Sequence, residues 1–188
     1  MSPPDKAGAQ AQPKFSEVVS KTKLGIASAR NGSLSAAHMD MIKSAVLEEV
    51  LKNKDRSKEI IFEGAIPKGG WIQFTCKDNN TASWLRKSFP SIVKATKLDL
   101  KILEQEDFPK PHIVHGIFPD HKEWSNERIL SHIAAQNALP TAKTWQVVRR
   151  SNEGKVQSIV FGIDSDSLKI LEKKNFDVGV GFCRIKMR

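Results

Sequence analysis

Tyrosine is absent from this 188-residue chain, and cysteine occurs only twice, at Cys76 and Cys183. The two cysteines are far apart, each inside a strand-like run, and neither has a Cys or His neighbour at zinc-finger spacing. A disulfide framework and a structural zinc are therefore excluded, and a reduced intracellular setting, nucleus or cytoplasm, is expected instead of secretion. His112 and His115 do not rescue a metal site, because positions three apart on a strand point to opposite faces. No apolar run approaches the roughly 20 residues of a membrane span, and the N-terminus has no apolar signal core. There is no Gly-x-Ser-x-Gly elbow, no phosphate-binding Gly-Lys-Ser/Thr loop and no dinucleotide fingerprint. Gly179-Val180-Gly181 precedes a strand and not a helix, so it is no dinucleotide loop. Paired acids such as Glu48-Glu49 and Asp164/Asp166 read as a solvated face and a helix cap. The expectation is a protein that is not an enzyme and has no metal, cofactor or membrane partner.

What the chain does have is positive charge: 30 Lys and Arg against 21 Asp and Glu, a net +9 and a pI near 9.6. The excess sits in the C-terminal half, where residues 109–188 carry 13 basic against 8 acidic residues. Such a balance favours acidic partners, nucleic acid first among them. The last residues, Phe182-Cys183-Arg184-Ile185-Lys186-Met187-Arg188, alternate strictly between an apolar and a cationic set. Because side chains on a strand alternate faces, this is a half-buried strand with Arg184, Lys186 and Arg188 on its open side.

Hydrophobic periodicity and capping residues divide the chain into two similar halves. Residues 1–13, rich in Pro, Ala and Gln, read as a disordered tail. A first unit over 14–106 has a strand at Lys21–Ser28 and a helix from Ser35 to Asn53. Strands at Glu59–Gly64 and Trp71–Cys76 follow, joined by a loop containing Pro67, Gly69 and Gly70. A helix capped by Asp78 or Asn79 is expected to stop at Pro90, and a strand at Leu98–Leu103 closes the unit. A stiff linker at 107–111 leads to a second, basic unit over 112–188. Its strands are Ile113–Phe118, Trp145–Arg150, Val156–Ile163 and the C-terminal strand, and its helices are capped by Ser125 or Asn126 and by Asp164 or Ser165. The order β-α-β-β-α-β, repeated, predicts an α+β fold of two tandem ferredoxin-like units of the RNA-recognition-motif type, each with both helices on one sheet face.

Several segments resemble a family of insect proteins called domain of unknown function 4780. They are Lys14-Phe15-Ser16-Glu17-Val18-Val19, Gly69-Gly70-Trp71-Ile72, Phe108-Pro109-Lys110-Pro111-His112 and Gly162-Ile163-Asp164. Asn175-Phe176 with Gly179-Val180-Gly181 adds to the likeness. The resemblance covers about residues 14–188. It implies a retrotransposon-related context and an architecture, and it assigns no reaction.

An RNA recognition motif stacks bases on exposed aromatics of its third strand. Lys68-Gly69-Gly70-Trp71-Ile72-Gln73-Phe74 is similar to that signature but one residue short, and it makes Trp71 and Lys68 candidates. The first strand offers Gly25 at the matching open position. In the second unit, Val114, Gly116 and Phe118 are expected to face the core, leaving Ile113, His115 and Ile117 on the open side. The candidate platform there is His115, Arg150, Phe161, Arg184 and Lys186, a stackable ring among cations. The leading reading is a non-enzymatic protein binding single-stranded nucleic acid, RNA in preference to DNA. The alternative is a protein-interaction or scaffold module, in which the apolar residues of the same face dock a partner or a second copy.

Overall fold

The computed structural model describes residues 21–30, 32–54, 57–119, 123–154 and 156–188. The expected tail at 1–13 and the Lys14–Val19 segment lie outside them. The first half runs β1 (Thr22–Ser28), α1 (Ala36–Lys52), β2 (Phe62–Lys68), β3 (Trp71–Cys76), α2 (Asn79–Thr96) and β4 (Leu100–Leu103). Its sheet is antiparallel in the order β2-β3-β1-β4, so the chain closes by placing its last strand beside its first, as in a ferredoxin-like fold.

The caps explain where the helices begin. The side chains of Ser35 and Asp78 accept hydrogen bonds from the main-chain N–H groups of His38 and Thr81, filling donors that the first helical turn leaves open. Leu24, Ile26, Ile72 and Phe74 point from the strands to one side. There they meet Met39, Ile42 and Val46 of α1 and Leu85 and Ile92 of α2 in a core sealed from solvent.

Two prolines depart from expectation. Pro67 lies inside β2 instead of in a loop, because β2 is an edge strand where a missing N–H costs no ladder bond. The turn is only Gly69-Gly70. Pro90 does not stop α2, which continues through it to Thr96. Burial of Ile92 and Thr96 in the turn beyond offsets the roughly 3 kcal/mol that an internal proline costs.

The second half runs β5 (His112–Pro119), α3 (Asn126–Asn137), a 3₁₀ turn (Pro140–Thr144), β6 (Gln146–Glu153), β7 (Val156–Ile163), α4 (Ser165–Lys173), β8 (Asp177–Val180) and β9 (Cys183–Lys186). Ser125 and Asp164 cap α3 and α4. The sheet order is β5-β7-β6, and β8 and β9 form a separate hairpin that the sequence pattern did not anticipate. The end of the chain still completes the sheet: His115 and Arg188 exchange two main-chain hydrogen bonds of 2.8 and 2.9 Å. Ile185 and Met187 are buried while Arg184, Lys186 and Arg188 are exposed, as their alternation requires. The core of this half gathers Val114, Phe118, Ile129, Ile133, Ile159, Phe161, Leu171 and Val178.

The sheet face of the first half that carries no helices is not bare. Trp71 lies across Gly25, and Phe108, just before β5, folds back over the indole with ring centroids 4.6 Å apart. A Cβ at Gly25 would sit 2.9 Å from the indole ring and 3.1 Å from Leu103 Cβ, which is why no larger residue fits. Gly25→Val is expected to destabilise the protein by about 1–3 kcal/mol through overpacking, read as a lower urea midpoint with an unchanged m-value.

Candidate nucleic-acid interface

The Gly69-Gly70 turn brings the two halves together. A Cβ at Gly69 would stand 2.9 Å from the Asp164 nitrogen, so the turn packs backbone to backbone on the start of α4. Around it, Ser33 Oγ donates to Asp164 Oδ1 at 2.8 Å, with Asp166 Oδ2 at 3.3 Å. The Gly70 N–H donates to Thr144 Oγ1 at 3.4 Å, and Lys68 Nζ to Gln146 Oε1 at 3.2 Å. The linker is thus not a free tether: Phe108 is docked on Trp71.

Beside this contact opens a cleft of about 630 Å³. Five cations line it: Arg30, Lys68, Lys101, Lys110 and Lys169, against the carboxylates Asp164 and Asp166. Both acids are engaged, Asp164 by hydroxyl and main-chain donors and Asp166 by Lys169 at 3.5 Å. Arg30 pairs with Asp99 at 2.9 Å. Lys101 and Lys110 have no ion-pair partner among the described residues. Trp71 and Phe108 give the cleft an apolar floor, and Gln73, Gln146 and Ser28 add polar groups at its wall.

Of the residues picked from sequence, Lys68 and Trp71 meet at this cleft. Trp71 is only 6% exposed, and Phe108 occupies the place a stacked base would take, so the indole serves as floor and not as platform.

In the second half two picks need correction. Phe161 is fully buried: its partner across the ladder is Val114, and both face the helices, where Phe161 packs on Phe118 and Trp145 at 6.0 and 5.8 Å. Ile159 is buried on the same side. Arg150 also faces the helix side, donating to Asn126 Oδ1 and to the Trp124 carbonyl, each at 2.7 Å. A bulge at Val148 causes the shift: Val147 pairs with Phe161 but Arg149 pairs with Val160, so Arg149 takes the open position expected of Arg150.

The other picks stand on exposed or half-exposed ground. His115 is on the open face with Nε2 2.6 Å from Ser158 Oγ. Arg184 is exposed and bound through two nitrogens to Asp177 at 2.8 and 3.1 Å, and Lys186 donates to the Asn175 carbonyl. Ile113, Ile117 and Val148, each about half exposed, lie among these polar groups.

The sequence model described as Domain of unknown function (DUF4780) matches residues 17–188. The chain belongs to this family. No curated protein matches it. Among solved structures, this DUF4780 chain is similar to the ligand-free regulatory subunit of aspartate kinase from Thermus thermophilus, with 10% identity. That match covers 81% of this chain and 91% of the other at a TM-score of 0.27. A putative C-terminal regulatory domain of aspartate kinase from Porphyromonas gingivalis W83 matches at 16% identity, 83% and 93% coverage and a TM-score of 0.25. At these scores the likeness bears on no residue of the DUF4780 site.

Among the described residues no three His, Cys, Asp or Glu side chains converge as a metal site, and no helix is long and apolar enough to cross a membrane. Cys76 is a free thiol pushed up to about 11 by burial, which keeps it protonated and inert. Burial also pushes Asp164 up. The hydroxyl and N–H of Ser167 and the hydroxyl of Ser33 outweigh that and hold its carboxyl below the usual carboxylate range. The acid is thus a charged structural pin between the halves. The cations missed by the sequence reading are Arg30, Lys101, Lys110, Lys169 and Arg149. Only Lys101 had a signal, its outward place in the alternating Leu-Lys-Ile-Leu run.

Proposed function

We propose that this protein is a non-enzymatic nucleic-acid-binding protein that holds single-stranded RNA, in preference to DNA, through phosphate charge and modest stacking. The observation that carries the reading is the cleft, where five cations converge against two acids that are already engaged. Field lines in such a concave surface raise the local concentration of polyanions, and counterion release supplies affinity without sequence readout. The cationic rim of the second sheet, Arg149, Arg184, Lys186 and Arg188, extends the surface. In this reading the two halves act as RNA-recognition-like units. The insect, retroelement-related origin rests on the resemblance of the segments quoted at the outset.

Gel shifts with single-stranded RNA, single-stranded DNA and duplex at two salt concentrations test it. Steep loss of single-strand affinity with salt is expected, with duplex weaker. Arg184→Gln combined with Lys186→Gln is expected to leave folding intact and to flatten the salt slope by about one to two units, since each phosphate contact on a single strand contributes about 0.7. Absence of single-strand binding at low salt removes the reading. The alternative, a protein-docking or self-associating module, is favoured by one observation, the half-exposed Ile113, Ile117 and Val148 on the second open face. It predicts association that is insensitive to salt.

A further inference from the structure

The tip of the β8–β9 hairpin presents an aromatic ring that no described residue covers. Phe182 is fully exposed, and among the described residues its ring has no aromatic or cationic neighbour. An isolated exposed phenylalanine on a floppy loop would mean little. This one follows a stretch of backbone that is itself tied down. Gln136, at the end of α3, accepts from the Gly181 N–H at 2.7 Å and donates to the Gly181 carbonyl at 2.8 Å. Asn137 repeats the pattern two residues earlier, accepting from the Gly179 N–H at 2.7 Å and donating to its carbonyl at 2.8 Å. Two successive side-chain amides thereby do for β8 what a neighbouring strand would do. Val178, Val180 and Ile185 pin the hairpin into the core. The backbone is fixed, and the ring projects into solvent.

We infer that Phe182 is a base-stacking residue for single-stranded nucleic acid, an assignment that rests on the reading proposed above. The charge beside the ring decides the class of ligand. Phe182 sits in the two-residue turn that leads directly into β9, whose exposed residues are Arg184 and Lys186. A ring at a turn followed by cations on the next strand is the combination that holds a base and then its phosphates, while an apolar docking site favours depletion of charge around its anchor. Rigid presentation lowers the ordering cost of the contact.

The test uses the full chain and a short unstructured single-stranded RNA. Phe182→Ala is expected to keep its thermal midpoint, because an exposed ring contributes little to folding. It is expected to bind about 5- to 150-fold more weakly, with an unchanged salt slope because the ring carries no charge. Phe182→Trp is expected to retain affinity, and RNA is expected to quench its emission beyond the change seen with the four native tryptophans. Gln136→Ala is expected to weaken binding in the same direction with the ring still present. Wild-type affinity in Phe182→Ala overturns the inference while leaving the proposed function standing. Wild-type affinity in Phe182→Leu overturns it too and makes the tip an apolar protein anchor. Absence of binding by the wild type removes both.

Discussion

Replacing Lys68, Lys101 and Lys110 together by Gln is expected to weaken single-stranded RNA binding about a hundredfold at roughly 0.1 M salt, with the fold intact. The magnitude follows from counterion release. Three phosphate contacts contribute about two units to the slope of log affinity against log salt. Across the one decade between roughly 0.1 and 1 M, where screening has spent the electrostatic term, two units amount to about two decades of affinity. The fold is expected to tolerate the change because Lys101 and Lys110 are exposed, and because Gln at 68 can still donate to Gln146. The comparison that makes the result specific is a triple variant of exposed lysines away from the cleft, Lys54, Lys87 and Lys94. It lowers the net charge by the same amount and is expected to lose far less. Equal losses from both triples would mean that net charge and not the cleft sets affinity. An unchanged slope in the cleft variant would take the cleft out of the interface.

The contrast between the two halves shows where sequence patterning reaches its limit. Alternation placed Ile185 and Met187 inside and Arg184, Lys186 and Arg188 outside, and it marked Val156–Ile163 as a strand with the bounds the structure shows. Capping chemistry marked Ser35, Asp78, Ser125 and Asp164 as helix starts. These signals are local, so the sequence carries them in full.

Register was not legible in the same way. Alternation in its strand is compatible with Phe161 on the open face, because alternation does not say which set is inward until pairing with Val114 decides it. Arg150 failed for a related reason. A bulge at Val148 is a property of two strands together, and one extra residue carries every later side chain to the opposite face. The cleft was less legible still. Lys68, Lys101 and Lys110 are scattered over 43 positions of sequence, and they converge only because a glycine turn from one half docks on a helix start from the other. Phe182 was visible in the sequence, but its meaning depends on the Gln136 and Asn137 amides, which lie more than 40 residues upstream.

That glycine-to-helix contact depends on Asp164, and Asp164→Ala is expected to cost about 2–4 kcal/mol, combining a lost N-cap with lost hydrogen bonds to a buried charge. Asp164 Oδ1 accepts from the Ser167 N–H and from Ser33 Oγ, each at 2.8 Å, and Oδ2 accepts from Ser167 Oγ at 2.6 Å. Ser167 Oγ in turn receives Trp145 Nε1 at 2.9 Å, so one network joins the second core to the first half. The pH dependence follows from the lowered carboxyl. A carboxylate held below its usual range stabilises the fold fully above about pH 4, where the unfolded acid would also be ionised. That contribution disappears as pH falls from there through the folded value. Asp164→Asn separates cap from charge, since Asn still accepts from the Ser167 N–H but carries no negative charge. Urea midpoints measured from pH 7 down to pH 2 are expected to show the Asn variant less stable than wild type at neutral pH, with the gap closing below about pH 4. A gap that stays constant across that range would show that Asp164 acts through geometry alone. Proteolysis by a Glu-specific endoprotease at the exposed Glu106 supplies the interface readout: Asp164→Ala is expected to be cut faster there than wild type under conditions where both remain folded, because releasing Ser33 and the Gly69-Gly70 turn exposes the segment that Phe108 otherwise holds down.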